Sequence, residues 1–200
     1  KSLGADEVTL KAVSKWPNTD YYNIWIVSEI EGNNGGFGTQ GYAYFPGTSA
    51  SKDGTIILNS AWGNSGTANS WNNQSKTAIH ELGHGLNLHH TFNVQSPSDT
   101  TSNGCPSNTN CATDGDLCCD TDPHKVSASF TCTDNQINEC TGNVFGDVVH
   151  NYMDYSDQDC QYMFTQDQID RMRATLEGSR SGLLVSKGLS VALTSFREPI

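Results

Sequence analysis

The stretch HELGHGLNLHHTF, residues 80–92, decides how this chain folds and what its centre can bind. His80 and His84 are four residues apart, so on a helix their imidazoles lie one above the other on one face. Two imidazoles so placed can reach one ion at the roughly 2.0–2.1 Å that zinc requires. Glu81 lies beside the first imidazole but points elsewhere, which suits a group that holds a water molecule on the metal. The alternative is a solvated helix face with two unrelated histidines.

A third ligand must come from beyond the helix. A catalytic zinc usually takes three protein ligands and leaves a fourth position to water. One turn further along the helix lies Leu88, which cannot bind a metal, so the chain has to turn back. Such a turn favours a residue that tolerates the left-handed conformation, Gly first and Asn second, and Asn87 is at that position. The adjacent pair His89 and His90 follows, and His90 lies three residues after the turn.

Composition excludes several classes of partner. The chain has 200 residues, with 22 acidic and 11 basic side chains and a formal charge of −11. We therefore expect no nucleic-acid partner and no anionic membrane surface, because both require positive patches. No apolar run approaches the roughly 20 residues that span a bilayer. The length fits one domain, residues 1–200, which can bury a real core.

The cysteines indicate where the protein works. All seven lie in the second half, at spacings unlike those of a zinc knuckle: Cys105, Cys111, Cys118, Cys119, Cys132, Cys140 and Cys160. Disulfides in a loop-rich region are the favoured interpretation, and they imply an oxidising compartment. We expect a secreted protein. No signal peptide begins at Lys1, so such a chain would have lost its targeting segment.

The first half of the chain is typical of α/β structure. Apolar and β-branched runs predict three strands, residues 21–30, 41–47 and 54–63, of which 21–30 is expected to be central. Helices are predicted around residues 6–15 and 72–86, the second with an apolar stripe of Ile79, Leu82 and Leu86.

The second half begins with a long irregular region. Residues 96–143 are rich in Ser, Thr, Asn, Asp, Gly and Cys, which indicates cross-linked loops. A final helix follows, with a capping box of Thr165 and Gln168 at its start and Gly178 at its end.

The zinc motif resembles that of the metzincin clan of metallopeptidases, HExxHxxGxxH. The resemblance implies that His80, His84 and His90 bind zinc and that His89 points away. The family's usual glycine is Asn87 here, and we expect the turn to be preserved. NYMDYSDQDC, residues 151–160, is similar to the methionine turn of the pappalysin family. It implies that Met153 forms the floor of the site and that Tyr155 donates a hydrogen bond to the oxyanion.

Further pappalysin-like features are HTF after the third histidine and GDLCCDTD at residues 115–122. The resemblance implies an α/β (α+β) metzincin fold, with a twisted mixed sheet and backing and active-site helices in the N-terminal lobe, about residues 1–90. An irregular, disulfide-rich C-terminal lobe ends in a helix, about residues 91–185, and residues 186–200 form a tail. The implied disulfides join Cys132 to Cys160 and Cys140 to Cys111 or Cys105, with Cys118 as the extra cysteine.

An acidic loop is the second candidate ion site. Its aspartates do not have the spacing of an EF-hand, and by composition alone the loop could simply be solvated. The resemblance implies structural calcium here, with Asp116, Asp120, Thr121 and Asp122 as its ligands.

The resemblance implies a secreted zinc endopeptidase that acts on extended polypeptides through a water held by the metal, with Glu81 as general base. Residues 55–61 are expected to form the edge strand that pairs with the substrate. In some pappalysin-like proteins an acidic residue in the methionine-turn loop selects Lys or Arg just after the cleaved bond. Gln158 aligns with that position, so the resemblance leaves open whether this protein prefers basic side chains. We expect a monomer. The alternatives are an inactive metzincin-like binding module with zinc and calcium, or a calcium-stabilised adhesion domain with a fortuitous motif.

Overall fold

The computed structural model describes residues 6–72, 74–93, 104–126, 132, 136–186 and 188. In chain order the regular elements are α1 (Glu7–Ala12), β1 (Ile24–Val27), β2 (Gly41–Ala43), β3 (Thr55–Leu58), α2 (Lys76–Gly85) and α3 (Gln166–Glu177). Short 3-10 helices occupy Asn59–Ala61, Gly146–His150 and Ser181–Val185. Within these described ranges, no helix is long and apolar enough to cross a bilayer.

The three strands form one mixed sheet in the order β1-β3-β2, which agrees with the predicted α/β class. β1 runs parallel to β3, with Ile24 opposite Thr55, and β2 runs antiparallel to β3. All four residues of β3 are buried, whereas β1 alternates, leaving Ile24 and Ile26 40% and 48% exposed. The prediction that residues 21–30 form the central strand was therefore wrong. The alternating IWIV suits a half-covered strand, and the continuous TIIL suits the centre.

The expected substrate-binding edge is also corrected. Residues 55–58 form the central strand, with a neighbouring strand on each side, and residues 59–61 form the 3-10 helix after it. The edge strand that faces α2 is β2, residues 41–43. Within the described sheet β2 pairs only with β3, so its other edge is open to a further strand.

α1 is attached to the sheet through a buried lysine. Lys11 is fully buried, forms an ion pair with Glu7 at 2.7 Å, donates to the carbonyl of Lys52 and lies over the ring of Tyr44 at 4.8 Å. Burial lowers the pKa of Lys11, and the Glu7 carboxylate opposes that effect. α1 therefore packs on the sheet through a charged side chain that is surrounded by aromatic rings. The hydrophobic periodicity of the sequence does not predict such a contact.

The buried Arg180, which follows α3, forms an ion pair with Asp53 and a hydrogen bond with the zinc-motif helix. Arg180 makes two hydrogen bonds to the carboxylate of Asp53, at 2.7 and 2.9 Å, and its Nε donates to the carbonyl of Gly85 at 2.6 Å. Burial by itself would raise the pKa of Asp53, but Arg180 outweighs it and the pKa lies below its ordinary value. One guanidinium therefore holds the C-terminal end of α2 beside the loop that leads into β3.

Asp53→Asn is expected to lower the free energy of unfolding by about 3–5 kcal/mol, because it leaves a buried guanidinium without its counter-charge. The wild-type contribution should be fully present above the unfolded-state pKa of about 3.9 and should fade as the pH falls through the lower folded-state pKa. Urea unfolding at several pH values measures both effects. Asp170→Asn, at the exposed pair with Arg173, is the matched control and should change stability by less than about 1 kcal/mol. Equal effects at the two sites would contradict this role for the buried pair.

Disulfides fasten the irregular region after α2. They join Cys105 to Cys140, Cys111 to Cys119 and Cys132 to Cys160, and Cys118 is a buried thiol. The pair Cys132–Cys160 is the one that the resemblance implied. Of the two partners open for Cys140, the structure has Cys105, because Cys111 is bonded to Cys119.

Candidate metal centre

α2 ends in a turn that reverses the chain. Asn87 has φ 75°, in the left-handed region. The amide of Leu88 donates to the carbonyl of Gly83, and the amide of Asn87 donates to that of His84, both at 2.9 Å, which is a Schellman motif. The helix begins later than predicted, at Lys76 rather than near residue 72, because Asn72 is buried in a side-chain network outside it.

The turn brings three imidazoles to one point. The Nε2 atoms of His80, His84 and His90 lie 3.0–3.1 Å from one another, and the three residues are only 7–9% exposed. A metal ion needs several ligand atoms close together. Among the described residues, these three histidines form the one group of at least three His, Cys, Asp or Glu side chains whose ligand atoms all lie within 4.8 Å of one another. His89 is directed elsewhere: its ring stacks on Phe45 at 4.7 Å.

Backbone carbonyls determine which nitrogen carries the proton. Nδ1 of His80 lies 2.7 Å from the carbonyl of Tyr152, and Nδ1 of His84 lies 2.8 Å from that of Leu88. A carbonyl only accepts, so each Nδ1 donates and each Nε2 presents a lone pair to the shared point. Burial lowers the pKa of His80 to about 3 and also lowers those of His84 and His90, so the rings are neutral.

These facts fit a zinc ion. The Nε2 lone pairs of His80 and His84 cannot hydrogen bond to each other, so their close approach is favourable only around a cation. A triangle with such edges has a point about 2.0–2.1 Å from all three corners, slightly out of its plane, as zinc–imidazole bonds require. The donor set is that of a catalytic zinc, with three imidazoles and an open side.

Glu81 is on the same helix, at the wall of the cleft. It is 6% exposed, and the backbone amide of Ala43 in β2 donates to its carboxylate. Burial raises the pKa of Glu81 to about 8. A cation at the triad would favour the ionised form again. The carboxylate is thus held beside the three nitrogens.

The methionine turn contributes two residues to the surroundings of the triad, one packed against α2 and one beside the histidine rings. Met153 is fully buried under α2, and its amide donates to the side chain of Asn151 at 2.8 Å. Tyr155 is 48% exposed, and its ring centroid lies 4.8 Å from that of His90 and 5.6 Å from that of His80. Burial raises the pKa of Tyr155 to about 12, so the phenol keeps its proton and can donate it in a hydrogen bond.

Two glycines of α2 were not singled out from the sequence. A Cβ at Gly83 would overlap the sulfur of Met153, and one at Gly85 would overlap the hydroxyl of Tyr22. The helix buries this face, with its histidines and glycines, whereas Leu82 of the apolar stripe is 38% exposed. The motif HELGHG could have indicated this close packing, because glycine inside a helix is destabilising and usually occurs where another group packs closely against it.

Gly83→Ala is expected to destabilise the protein by about 1–3 kcal/mol, because the added methyl forces Met153 or the helix to move. The sign is diagnostic, since alanine in a helix interior normally stabilises by about 0.5–1 kcal/mol relative to glycine. Thermal and urea unfolding measure the effect. Gly36→Ala is the control, because its Cβ would find its nearest neighbour at 3.8 Å. A stabilising Gly83→Ala would show that Met153 does not pack here as described.

A cleft extends on both sides of His80, Glu81 and Tyr155. One cavity, of about 420 Å³, is lined by Gly38–Gly41, Trp71, Asn72, Thr77, His80, Glu81, Tyr155 and Gln158, among others. The second, of about 220 Å³, is lined by β2, Phe45, His84, His89 and His90, and it shares His80, Glu81 and Tyr155 with the first. His80, Glu81 and Tyr155 therefore lie where the two cavities of this groove meet, and the edge strand β2 contributes to the wall of both.

The acidic loop does not bring its predicted ligands to one point. Asp116 is buried and accepts hydrogen bonds from Thr121 and from the amide of Cys118, and burial raises its pKa to about 7. Asp120 accepts from the amide of Asp167 at the start of α3. A separate cavity of about 180 Å³ is lined by Asp120, Thr121 and Asp122.

The sequence matches, over residues 6–177, the peptidase family described as pregnancy-associated plasma protein-A. The chain belongs to this family, the pappalysins. An extracellular metalloprotease of Arthroderma gypseum is 34% identical over 178 residues, which are 86% of this chain and 53% of that protein. One of Pyricularia oryzae is 35% identical over 164 residues, or 80% and 50%. The chain thus spans about half the length of these relatives.

Solved pappalysin-like structures share the fold. Mature mirolysin of Tannerella forsythia, in complex with a cleaved peptide, is 28% identical, with a TM-score of 0.67 over 92% of this chain and 64% of that one. A promirolysin mutant from the same organism is 27% identical, with a TM-score of 0.70 over 92% and 57%. The predicted family and the metzincin fold are thereby confirmed.

Proposed function

We propose that this protein is a secreted zinc-dependent endopeptidase that hydrolyses peptide bonds in extended polypeptides. The observation that carries the proposal is the convergence of three neutral imidazole nitrogens in a cavity that Glu81 also lines. The names of the fungal relatives and the peptide bound to mirolysin support the same class of activity and an extracellular setting.

His80, His84 and His90 would hold the zinc ion. When bound, zinc polarises the scissile carbonyl and lowers the pKa of water in its vicinity. Glu81 accepts the proton of the attacking water and passes it to the leaving amine. General acid–base catalysis of this kind contributes about 10²–10⁴-fold. Tyr155, still protonated and half exposed at the cleft, donates a hydrogen bond to the oxygen that gains negative charge.

The substrate lies along β2, which replaces residues 55–61 in this role. β2 lines both cavities and has an open edge in the described sheet, so an extended peptide can add to it as a further strand. In the antiparallel direction, residues after the cleaved bond lie in the 420 Å³ cavity, next to the residues that precede β2. The buried central strand cannot serve in this way.

The test uses reduced and carboxymethylated serum albumin as an unfolded substrate. We expect fragments with the wild-type protein, loss of cleavage with 1,10-phenanthroline, and recovery when zinc is restored. Intact albumin in the presence of protein with one equivalent of zinc would instead support the inactive binding module. Cleavage that resists the chelator would contradict zinc dependence.

The side-chain preference after the cleaved bond depends on Gln158. Its amide lies in the wall of the 420 Å³ cavity and donates to the side chains of Asn72 and Thr77. Because Gln158 is neutral, the cavity has no carboxylate at this position, and we propose that it accepts neutral as well as basic side chains.

Gln158→Glu is expected to raise kcat/KM for peptides with Lys or Arg after the cleaved bond by about tenfold relative to Gln or Met, because it adds an opposite charge of matched length. Paired fluorogenic peptides measure this ratio. Gln166→Glu, the same change at an exposed position of α3, should leave it unaltered. An unchanged ratio in Gln158→Glu would show that the substrate side chain does not enter this cavity.

We also propose that residues 1–200 act as a single, monomeric catalytic domain of two lobes, near 1–90 and 91–185, and that calcium binds in the acidic loop. The cavity beside Asp120, Thr121 and Asp122 supports a cation, since adjacent carboxylates repel one another without one. Asp116 would strengthen the loop through Thr121. Calcium titration of metal-free protein, followed by thermal unfolding, checks this proposal.

A further inference from the structure

Two aromatic side chains form an exposed stack at one end of the groove. Phe37 is 91% exposed and Trp71 is 42% exposed, and their ring centroids lie 5.0 Å apart with planes inclined by 22°. We name this pair the aromatic platform. Single exposed apolar residues are common, but a stacked pair held at the rim of a cavity is a typical feature of a binding surface.

Hydrogen bonds hold the platform in place. The side-chain amide of Gln40 donates to the carbonyls of Gly36 and Gly38, the residues on either side of Phe37, at 2.8 and 2.9 Å. The fully buried Asn72, which follows Trp71, donates to the oxygen of Gln40 at 3.2 Å. One amide therefore connects the backbones that carry the two rings.

The same network reaches the active-site cavity. The Asn72 side-chain oxygen accepts from Thr77 at 3.2 Å and from Gln158, and both of these residues line the 420 Å³ cavity. Gly38 and Trp71 line that cavity too, and neither of them lines the second cavity. The platform is thus continuous with the groove that contains Glu81 and the triad.

We infer that the aromatic platform is a specificity subsite that binds an apolar side chain of the substrate, two to four residues beyond the cleaved bond on its C-terminal side. A peptide antiparallel to β2 leaves the 420 Å³ cavity past Gly38 and Trp71, so its next side chains reach the two rings. A flat, preorganised aromatic surface favours aliphatic and aromatic side chains at little entropic cost. The inference rests on the proposed endopeptidase function and on this direction of binding.

The experiment profiles cleavage sites by mass spectrometry on a proteome-derived peptide library, using wild type, Phe37→Ser and Phe37→Ser/Trp71→Ser. Phe37 is almost fully exposed, so the single variant should fold normally. Trp16→Ser is the matched control, because Trp16 is 60% exposed and lines neither cavity of the groove. Paired fluorogenic peptides, with Leu or Ser at the enriched position, then measure kcat/KM.

Wild type and Trp16→Ser are expected to enrich Leu, Ile, Met, Phe, Tyr or Trp at one position two to four residues after the cleaved bond. Phe37→Ser should reduce the Leu-over-Ser ratio of kcat/KM by about three- to tenfold, and the double variant further. Trp16→Ser should cleave both peptides within about twofold of wild type, because Trp16 lies outside both cavities of the groove.

Two results would overturn the inference while leaving the peptidase intact: no apolar enrichment on this side in wild type, or an enrichment that persists in both platform variants. Enrichment on the N-terminal side that is lost in Phe37→Ser would overturn the direction of binding. Absence of any cleavage by zinc-loaded wild type would refute the proposed function, and the subsite with it.

Discussion

Glu81→Gln is expected to lower kcat by about 10²–10⁴-fold and to leave the zinc content and the fold unchanged. Glutamine has the same shape and can still accept the amide of Ala43, but it cannot take a proton from water at neutral pH. Its position beside the three Nε2 atoms would not change. Single-turnover cleavage of a fluorogenic peptide, together with metal analysis of the same sample, measures both quantities.

Glu29→Gln is the matched control for this experiment, because it makes the same chemical change at an exposed residue outside the groove. It should retain wild-type kcat. If Glu81→Gln kept its zinc and its activity, Glu81 would not be the general base. Loss of zinc in Glu81→Gln would show that the carboxylate contributes to metal binding instead.

His90→Gln is expected to weaken zinc binding by at least about 10²-fold, more than changes around a metal's ligands usually cause. Zinc at 100 times its dissociation constant stabilises the folded state by about 2.7 kcal/mol, and His90→Gln should lose this increment. For a chain of this size, the loss corresponds to a fall in Tm of roughly 5–10 °C. Competition with a chromophoric chelator and calorimetry with and without zinc measure the two effects.

His89→Gln is the control on the neighbouring residue, since its ring stacks on Phe45 and faces away from the triad. Its zinc affinity should stay within about threefold of wild type. A variant His89→Gln that loses zinc, with His90→Gln unaffected, would reverse the assignment of the third ligand.

The parts that could be predicted from the sequence are those in which local spacing sets geometry. A four-residue interval on a helix aligns His80 with His84 wherever the helix occurs. Asn87 marks a left-handed turn because few other residues tolerate one, and the following residues then reverse direction. The capping box of Thr165 and Gln168 is confirmed for the same reason, since all its bonds lie within four residues.

The parts that could not be predicted depend on contacts between distant residues. The order of the strands in the sheet is one example: β3 is central because β1 and β2 pair with it on either side, and strand composition alone does not specify neighbours. The Arg180–Asp53 pair joins residues 127 positions apart. The aromatic platform is a further example of such a contact, because Gln40 connects the loop before β2 to the residues before α2.

Cysteine pairing combines both situations. The family resemblance implied Cys132–Cys160 but left the partner of Cys140 open between Cys105 and Cys111. Many pairings are compatible with one sequence, and only the folded loops select among them. The acidic loop could not be predicted for the same reason. Asp120 accepts a hydrogen bond from the amide of Asp167 at the start of α3, a contact between residues far apart in the sequence.

Zinc K-edge X-ray absorption of the zinc-loaded protein tests the central claim most directly, since it counts the imidazoles around the ion. We predict three histidine nitrogens at about 2.0–2.1 Å in wild type and in His89→Gln. His90→Gln, loaded at excess zinc, should show two. A wild-type spectrum with two imidazoles, or with a carboxylate or thiolate as third protein ligand, would contradict the convergence of His80, His84 and His90 on one ion.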